Sequence, residues 1–197
     1  METPRVRSKR RPAEERRTQI LEAALDCFAS KGFHAATMDD LVRASGLSKG
    51  SLYWHFESKQ DVFLALFDAF AEASFAEWDA LIAAGCPTLE AAERATLGKL
   101  DAIGGERGLS AWVEFFAHPQ ARGRFAQVYR EVRARLERSL LREMEAGTLR
   151  RLAPDELAAS ITACGEGLLL QAMVDPEFDL HRHWAATRAL IQRGIAP

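Results

Sequence analysis

One short run, Ser48-Lys49-Gly50-Ser51-Leu52-Tyr53-Trp54-His55, concentrates groups suited to nucleic-acid chemistry. Lys49 can donate to guanine O6 or N7, and Ser51 can reach a base edge or a phosphate. Ser48 and Gly50 are small and let a helix end approach bases closely. Tyr53 and His55 are placed to donate to backbone phosphates. Two further donors flank the run, Thr37 upstream and Lys59 downstream. Trp54 and Phe56 read as packing residues.

The surrounding sequence supplies the elements that hold these groups. Thr37 suits the N-cap of a short helix over 38–45, with Asp40 forming an approximate capping box. Gly46 ends that helix, and Ser48 caps a second one over 49–55. Ser58 opens a longer helix from 59 to about 83. A helix over 13–30 precedes them, with Ile20, Leu21, Ala24, Leu25 and Phe28 as its apolar stripe. Leu41, Val42, Ala44, Leu47 and Leu52 would pack the corner between the two short helices. Two short helices around a one-glycine turn form the helix-turn-helix pattern, whose second helix enters a major groove. A generic helical corner is the rival reading. The small, polar first turn of the second helix favours DNA.

Charge is unevenly distributed. The 197 residues carry a formal net charge of -2, which by itself suggests no affinity for nucleic acid. Residues 1–60, however, hold 11 basic and 8 acidic side chains, and residues 61–197 hold 15 and 20. Arg5, Arg7, Lys9, Arg10, Arg11, Arg16 and Arg17 crowd the start of the chain. They read either as a basic arm that reaches phosphates or a minor groove, or as a solvated chain end. Hydrophobic content of 48% excludes disorder throughout. No run of 18 uninterrupted apolar residues suggests a membrane span, and no apolar segment follows the N-terminal charges as in a signal peptide. A cytoplasmic location is expected.

Catalysis finds little support. Cys27, Cys86 and Cys164 form neither a disulfide framework nor a metal cluster. His181 and His183 are spaced two apart at a helix start and read as exposed rather than metal-binding. Gly104-Gly105 lacks the lysine and serine of a phosphate-binding loop. No catalytic residue, metal or cofactor is expected.

The rest of the chain reads as helices over about 88–103, 109–117, 122–146, 154–174 and 180–192. The 154–174 helix is apolar on much of its circumference, so it needs partners on more than one side. One side can pack the subunit and the other a symmetry mate. Leu157, Ile161, Cys164, Leu168 and Met173 are the interface candidates there. Trp184, Thr187, Leu190 and Ile191 would complete the contact from the last helix.

Residues 13 to about 66 resemble the DNA-binding domain of the TetR family of bacterial transcriptional regulators. The resemblance rests on Ile20-Leu21-x-Ala23-Ala24-x-x-x-Phe28, Lys31-Gly32-Phe33, the stretch from Thr37 to Phe56, and Ser58-Lys59. It implies an all-α homodimer that binds a palindromic double-stranded operator. It places Tyr53, His55 and Lys59 at phosphate-contacting positions, and Lys49, Gly50 and Ser51 at or beside base-reading ones. Likeness is looser after residue 70. The expected organisation is a basic arm over 1–12, a three-helix DNA-binding domain over 13–57, and a helical bundle for ligand and dimer contacts over 58–197. An effector pocket is expected among Phe67, Phe70, Trp78, Trp112, Phe115, Phe116, Phe125 and Tyr129. Such a lining suits a small hydrophobic molecule. Glu166 interrupts an apolar helix and reads as an ordinary satisfied or solvent-exposed carboxylate, an arginine partner or a contact to a cationic ligand. A regulator that activates, or that answers to a protein partner, is the alternative.

Overall fold

Eight helices make up the regular structure in residues 13–102 and 121–197, the part of the chain that this computed structural model describes. They are α1 (Ala13–Lys31), α2 (Met38–Ser45), α3 (Lys49–His55), α4 (Lys59–Ala83), α5 (Thr88–Ala102), α6 (Ala121–Glu145), α7 (Pro154–Val174) and α8 (Leu180–Ile195). The basic arm and the helix expected over 109–117 lie outside the described residues. Two compact units divide after Leu66, inside α4. That is further along than the expected boundary at 57/58. Val62 and Phe63, in the first turns of α4, are buried with the N-terminal core and extend that unit.

In the N-terminal unit, Ile20, Ala24 and Phe28 are fully buried from α1, with Leu41 from α2 and Leu52 from α3. Phe28, Phe33 and Phe63 cluster their rings in tilted and edge-on contacts, with centroids 4.5–5.6 Å apart. The turn between α2 and α3 depends on Gly46, whose φ of 65° is left-handed and disfavoured for residues with a Cβ. Gln19 donates from α1 to the Ser45 carbonyl at 2.7 Å, filling an acceptor that the end of α2 leaves open.

In the C-terminal unit, α7 packs against α5, α6 and α8. Trp184 is buried at the centre with Leu136, Leu140, Ala158 and Ile161. Glu143 of α6 accepts from the Thr88 backbone N–H at 2.7 Å and its hydroxyl at 2.6 Å, capping α5 from another helix. Gly165 marks the close approach of α7 to α5. A Cβ there would lie 2.9 Å from Thr96 Oγ1.

These contacts correct part of the expected dimer face. Ile161, Met173 and Trp184 are buried within their own chain. Leu157, Cys164, Leu168 and Ile191 pack, half-buried, against that same core. The outer side of α7 is a different stripe, Ala159, Ala163, Gly167, Leu170 and Val174, spaced three or four residues apart and all exposed. Leu170 is 54% exposed and Val174 71%, with Leu190 of α8 at 67%. By length and hydropathy α7 also resembles a membrane span, yet its central face is the core of a helical unit.

Candidate DNA-reading surface and effector cavity

The helix-turn-helix is fixed by its caps. Thr37 Oγ1 accepts from the Asp40 backbone N–H at 3.2 Å, and Asp40 Oδ2 accepts from the Thr37 N–H at 3.0 Å, a complete capping box. The Thr37 hydroxyl also donates to Asp40 Oδ2 at 2.8 Å. Its proton is therefore committed to the cap rather than available to a phosphate. Asp40 is 8% exposed and is held by Lys31 at 2.6 Å and by Arg43. The Lys31 and Thr37 hydrogen bonds hold its carboxyl well below the ordinary carboxylate range. A depressed carboxylate pKa stabilises the fold at neutral pH, and the benefit disappears as pH falls toward that pKa. Asp40→Asn is accordingly expected to lower stability at pH 7 and to flatten its decline below about pH 4. Urea denaturation across pH checks both.

Ser48 caps α3, accepting from the Ser51 N–H at 3.2 Å. Lys49 donates to Asp39 at 2.9 Å and lies 5.9 Å from the centre of the Tyr53 ring. It is thus held across the turn, and its pKa is raised by the Asp39 hydrogen bond. Tyr53 is 43% exposed. Burial lowers the His55 pKa, and the nearby Arg16 and Arg17 charges lower it further. Arg16, Ser48, Gly50, Ser51, Trp54 and His55 line one groove, so α1 contributes a guanidinium to this surface.

Two expectations change here. Lys59 Nζ donates to three backbone carbonyls, Phe33 at 2.7 Å, His34 at 2.9 Å and Ala36 at 2.7 Å. All three ammonium hydrogens hold the α1–α2 loop, and a phosphate would have to displace one of those carbonyls. Trp54, expected to pack, is 72% exposed beside the His55 ring. The sequence did carry the signal. Leu52 and Phe56, four apart, define the buried side, so Trp54 lies on the opposite one.

Gly50 has no internal reason to be glycine. Among the described residues, an added Cβ would meet nothing within 4 Å. Glycine in a helix is less favourable than alanine by about 0.5–1 kcal/mol. Gly50→Ala is therefore expected to raise the melting temperature while weakening binding to DNA, because the added methyl projects into the groove. A variant that is more stable with unchanged DNA affinity would remove Gly50 from the contact surface.

The C-terminal unit contains a cavity of about 60 Å³ between α4, α5, α6, α7 and α8. Of the expected lining residues, Trp78 and Glu166 border it, joined by Phe75, Ile161 and Trp184. Phe67 and Phe125 instead pack on each other at 4.7 Å, both buried. Phe70 is also absent from the lining. Tyr129 donates to Glu166; burial, then the Glu166 charge, raises its pKa. Glu166 is thus a hydrogen-bonded carboxylate at the cavity edge. Trp112, Phe115 and Phe116 lie outside the described residues. Apart from the aromatic walls, the exposed lining is mainly apolar.

The described residues are all-helical, with a capped, solvent-facing helix-turn-helix in one compact unit and a helical bundle in the other. Residues 20–66 match the model for the tetR family of bacterial regulatory proteins. Residues 89–196 match the C-terminal domain of BetI-type transcriptional repressors, more than half of the chain. The chain belongs to the TetR family, whose members are DNA-binding regulators and not enzymes. The transcriptional activator FasR of Mycolicibacterium smegmatis is 47% identical over 60 residues, 30% of this chain and 27% of that protein. TtgR of Pseudomonas putida is 37% identical over 67 residues, 34% of this chain and 32% of that protein. The chain therefore matches only about a quarter to a third of the length of these relatives. Among solved structures, SmeT, repressor of the Stenotrophomonas maltophilia efflux pump SmeDEF, aligns with a TM-score of 0.74 at 24% identity, covering 92% of this chain and 90% of that one. A regulator from Saccharomonospora viridis in complex with choline aligns at 0.78 and 22% identity, over 93% and 99%. SmeT has also been solved with triclosan, aligning at 0.75 and 23% identity over 93% and 92%. These likenesses establish the fold.

Proposed function

We propose that this regulator is a ligand-responsive repressor that binds a palindromic operator as a homodimer and releases it on binding a small hydrophobic effector. The observation that carries the reading is an exposed, polar α3 in a chain whose separate helical unit contains a mainly apolar cavity. Lys49, Gly50, Ser51 and Trp54 face base edges in this reading, while Arg16, Tyr53 and His55 face phosphates. Binding to DNA would exchange the Lys49–Asp39 pair for a base contact. Double-stranded DNA, a second copy of the chain and the effector are its partners, all met in the cytoplasm.

Supporting the effector role, α4 is continuous from Lys59 to Ala83 and lends Phe75 and Trp78 to the cavity wall. At about 60 Å³ the cavity is far below the roughly 300–1,000 Å³ of ligand pockets. An effector must therefore part its walls, α4 among them. Half-sites lie about one helical turn apart or a multiple of it, so a modest change in head spacing weakens binding. The effector need only favour the released form.

Activation is the second reading, favoured by the name of FasR, although that match covers under a third of this chain. The test is to select an operator from random duplexes, then titrate it with protein and follow anisotropy and mass. Two protomers on a two-fold site, displaced by a cavity ligand, support the proposal. A single protomer per site, or tight cavity binding without DNA release, contradicts it. Transcription from a promoter carrying that operator separates repression from activation.

A further inference from the structure

The polar groups around the cavity are not equally available to a ligand. Ser74, Thr96 and Thr162 each donate their hydroxyl proton to a carbonyl of their own helix, at 3.0, 2.8 and 2.8 Å. Arg135 is engaged by Asp79 at 3.3 Å and by Glu131, and its guanidinium lies 4.3 Å from the Phe75 ring centre. Glu166 accepts from the Tyr129 hydroxyl.

Trp184 differs. It is 1% exposed and borders the cavity, and its indole Nε1–H has no hydrogen-bond partner among the described residues. A buried donor left without an acceptor is unfavourable, and buried tryptophan N–H groups usually find one. Trp78, Phe75, Leu136 and Ile161 line the same cavity, so the rest of a ligand must be apolar. The Glu166 carboxylate at the edge opposes an anion.

We infer that the effector is an uncharged, apolar, ring-sized molecule with one acceptor oxygen, a ketone, ether or ester, which takes the proton of Trp184 Nε1 in a hydrogen bond. The inference rests on the ligand-responsive reading above and names the chemistry of that same cavity. The ring has to widen the cavity, since a hole of roughly 150 Å³ is what admits benzene. The hydrogen bond is the recognition point. It separates an oxygen-bearing ligand from a hydrocarbon of the same shape.

Acetophenone and α-methylstyrene are suitable probes, because they differ by C=O against C=CH₂ on one skeleton. Each is titrated into the isotope-labelled full chain, with the Trp184 indole N–H assigned through bonds in the wild type. The expected result is a downfield shift of that resonance with the ketone only, and about tenfold tighter binding of the ketone. Trp184→Phe keeps an aromatic ring and removes the donor, so it should equalise the two affinities. Equal binding by the wild type, failure of both probes to bind, or an unmoved Trp184 resonance would overturn the inference. So would evidence that a cavity water occupies Nε1 and stays there when the ketone binds. The wild-type resonance decides the matter even if the variant fails to fold. Operator release is measured separately on labelled duplex. A ketone that binds at Trp184 without loosening DNA supports this site and counts against the ligand-responsive reading.

Discussion

Lys59→Met is expected to destabilise the N-terminal unit by about 2–3 kcal/mol, read as a lower urea midpoint. The ammonium group joins three carbonyls within 2.9 Å and lies 4.7 Å from the Phe33 ring centre. Hydrogen bonds to charged groups contribute about 1.5–3 kcal/mol each when taken singly. Three that share one ammonium do not add, and water replaces part of the loss at the exposed His34 carbonyl. Methionine keeps the length and the apolar stem, so the loss isolates the ammonium. Lys59→Arg should recover only part of the stability, because a planar fork cannot direct three donors at convergent carbonyls. A purely phosphate-binding lysine behaves otherwise. Its removal would leave the urea midpoint unchanged, weaken every DNA sequence alike and reduce the salt slope by about one. Unchanged stability in Lys59→Met would return the residue to the DNA surface.

Lys59 and Thr37 show where sequence reading reached its limit. Both positions match a family pattern, and both side chains carry suitable donors. Which acceptor takes those protons depends on carbonyls and carboxylates brought close by folding, such as Phe33 and Ala36 around Lys59. Local features were easier to read. Caps at Thr37 and Ser48, the left-handed Gly46 and the bounds of α3, α4 and α7 follow from residues within one turn of each other. The cavity was only half legible. Aromatic composition put Trp78 in one list with Phe67 and Phe125, which pair in the core, and Glu166 stood out only because it interrupts an apolar helix. Trp184 was assigned to a dimer contact because its place in α8 alone does not tell which neighbours cover it.

The same ambiguity governs α7, and it leads to the other large effect. A helix with apolar residues all round has no preferred face in its sequence, so Ile161 and Leu170 look equivalent. In the fold they are opposites: Ile161 is 2% exposed and Leu170 54%. We propose the stripe through Ala163, Gly167, Leu170 and Val174, with Leu190 of α8, as the dimer surface. Leu170→Asp should then convert the dimer to monomers with helix content retained. Burying a leucine is worth about 1.5–3 kcal/mol, and a two-fold interface counts each substitution twice. Even half of that burial, with two carboxylates now facing each other, raises the dissociation constant by about a hundredfold or more. Sedimentation velocity over a dilution series gives the constant directly. Operator affinity should fall with it, since two linked heads bind a palindrome better than one. Ile161→Ala is the contrasting variant. It opens a hole in the core and should cost about 2–5 kcal/mol of stability, with dimer assembly altered only through that loss. If Leu170→Asp remains dimeric at the dilution where wild type does, α7 turns some other face to its partner.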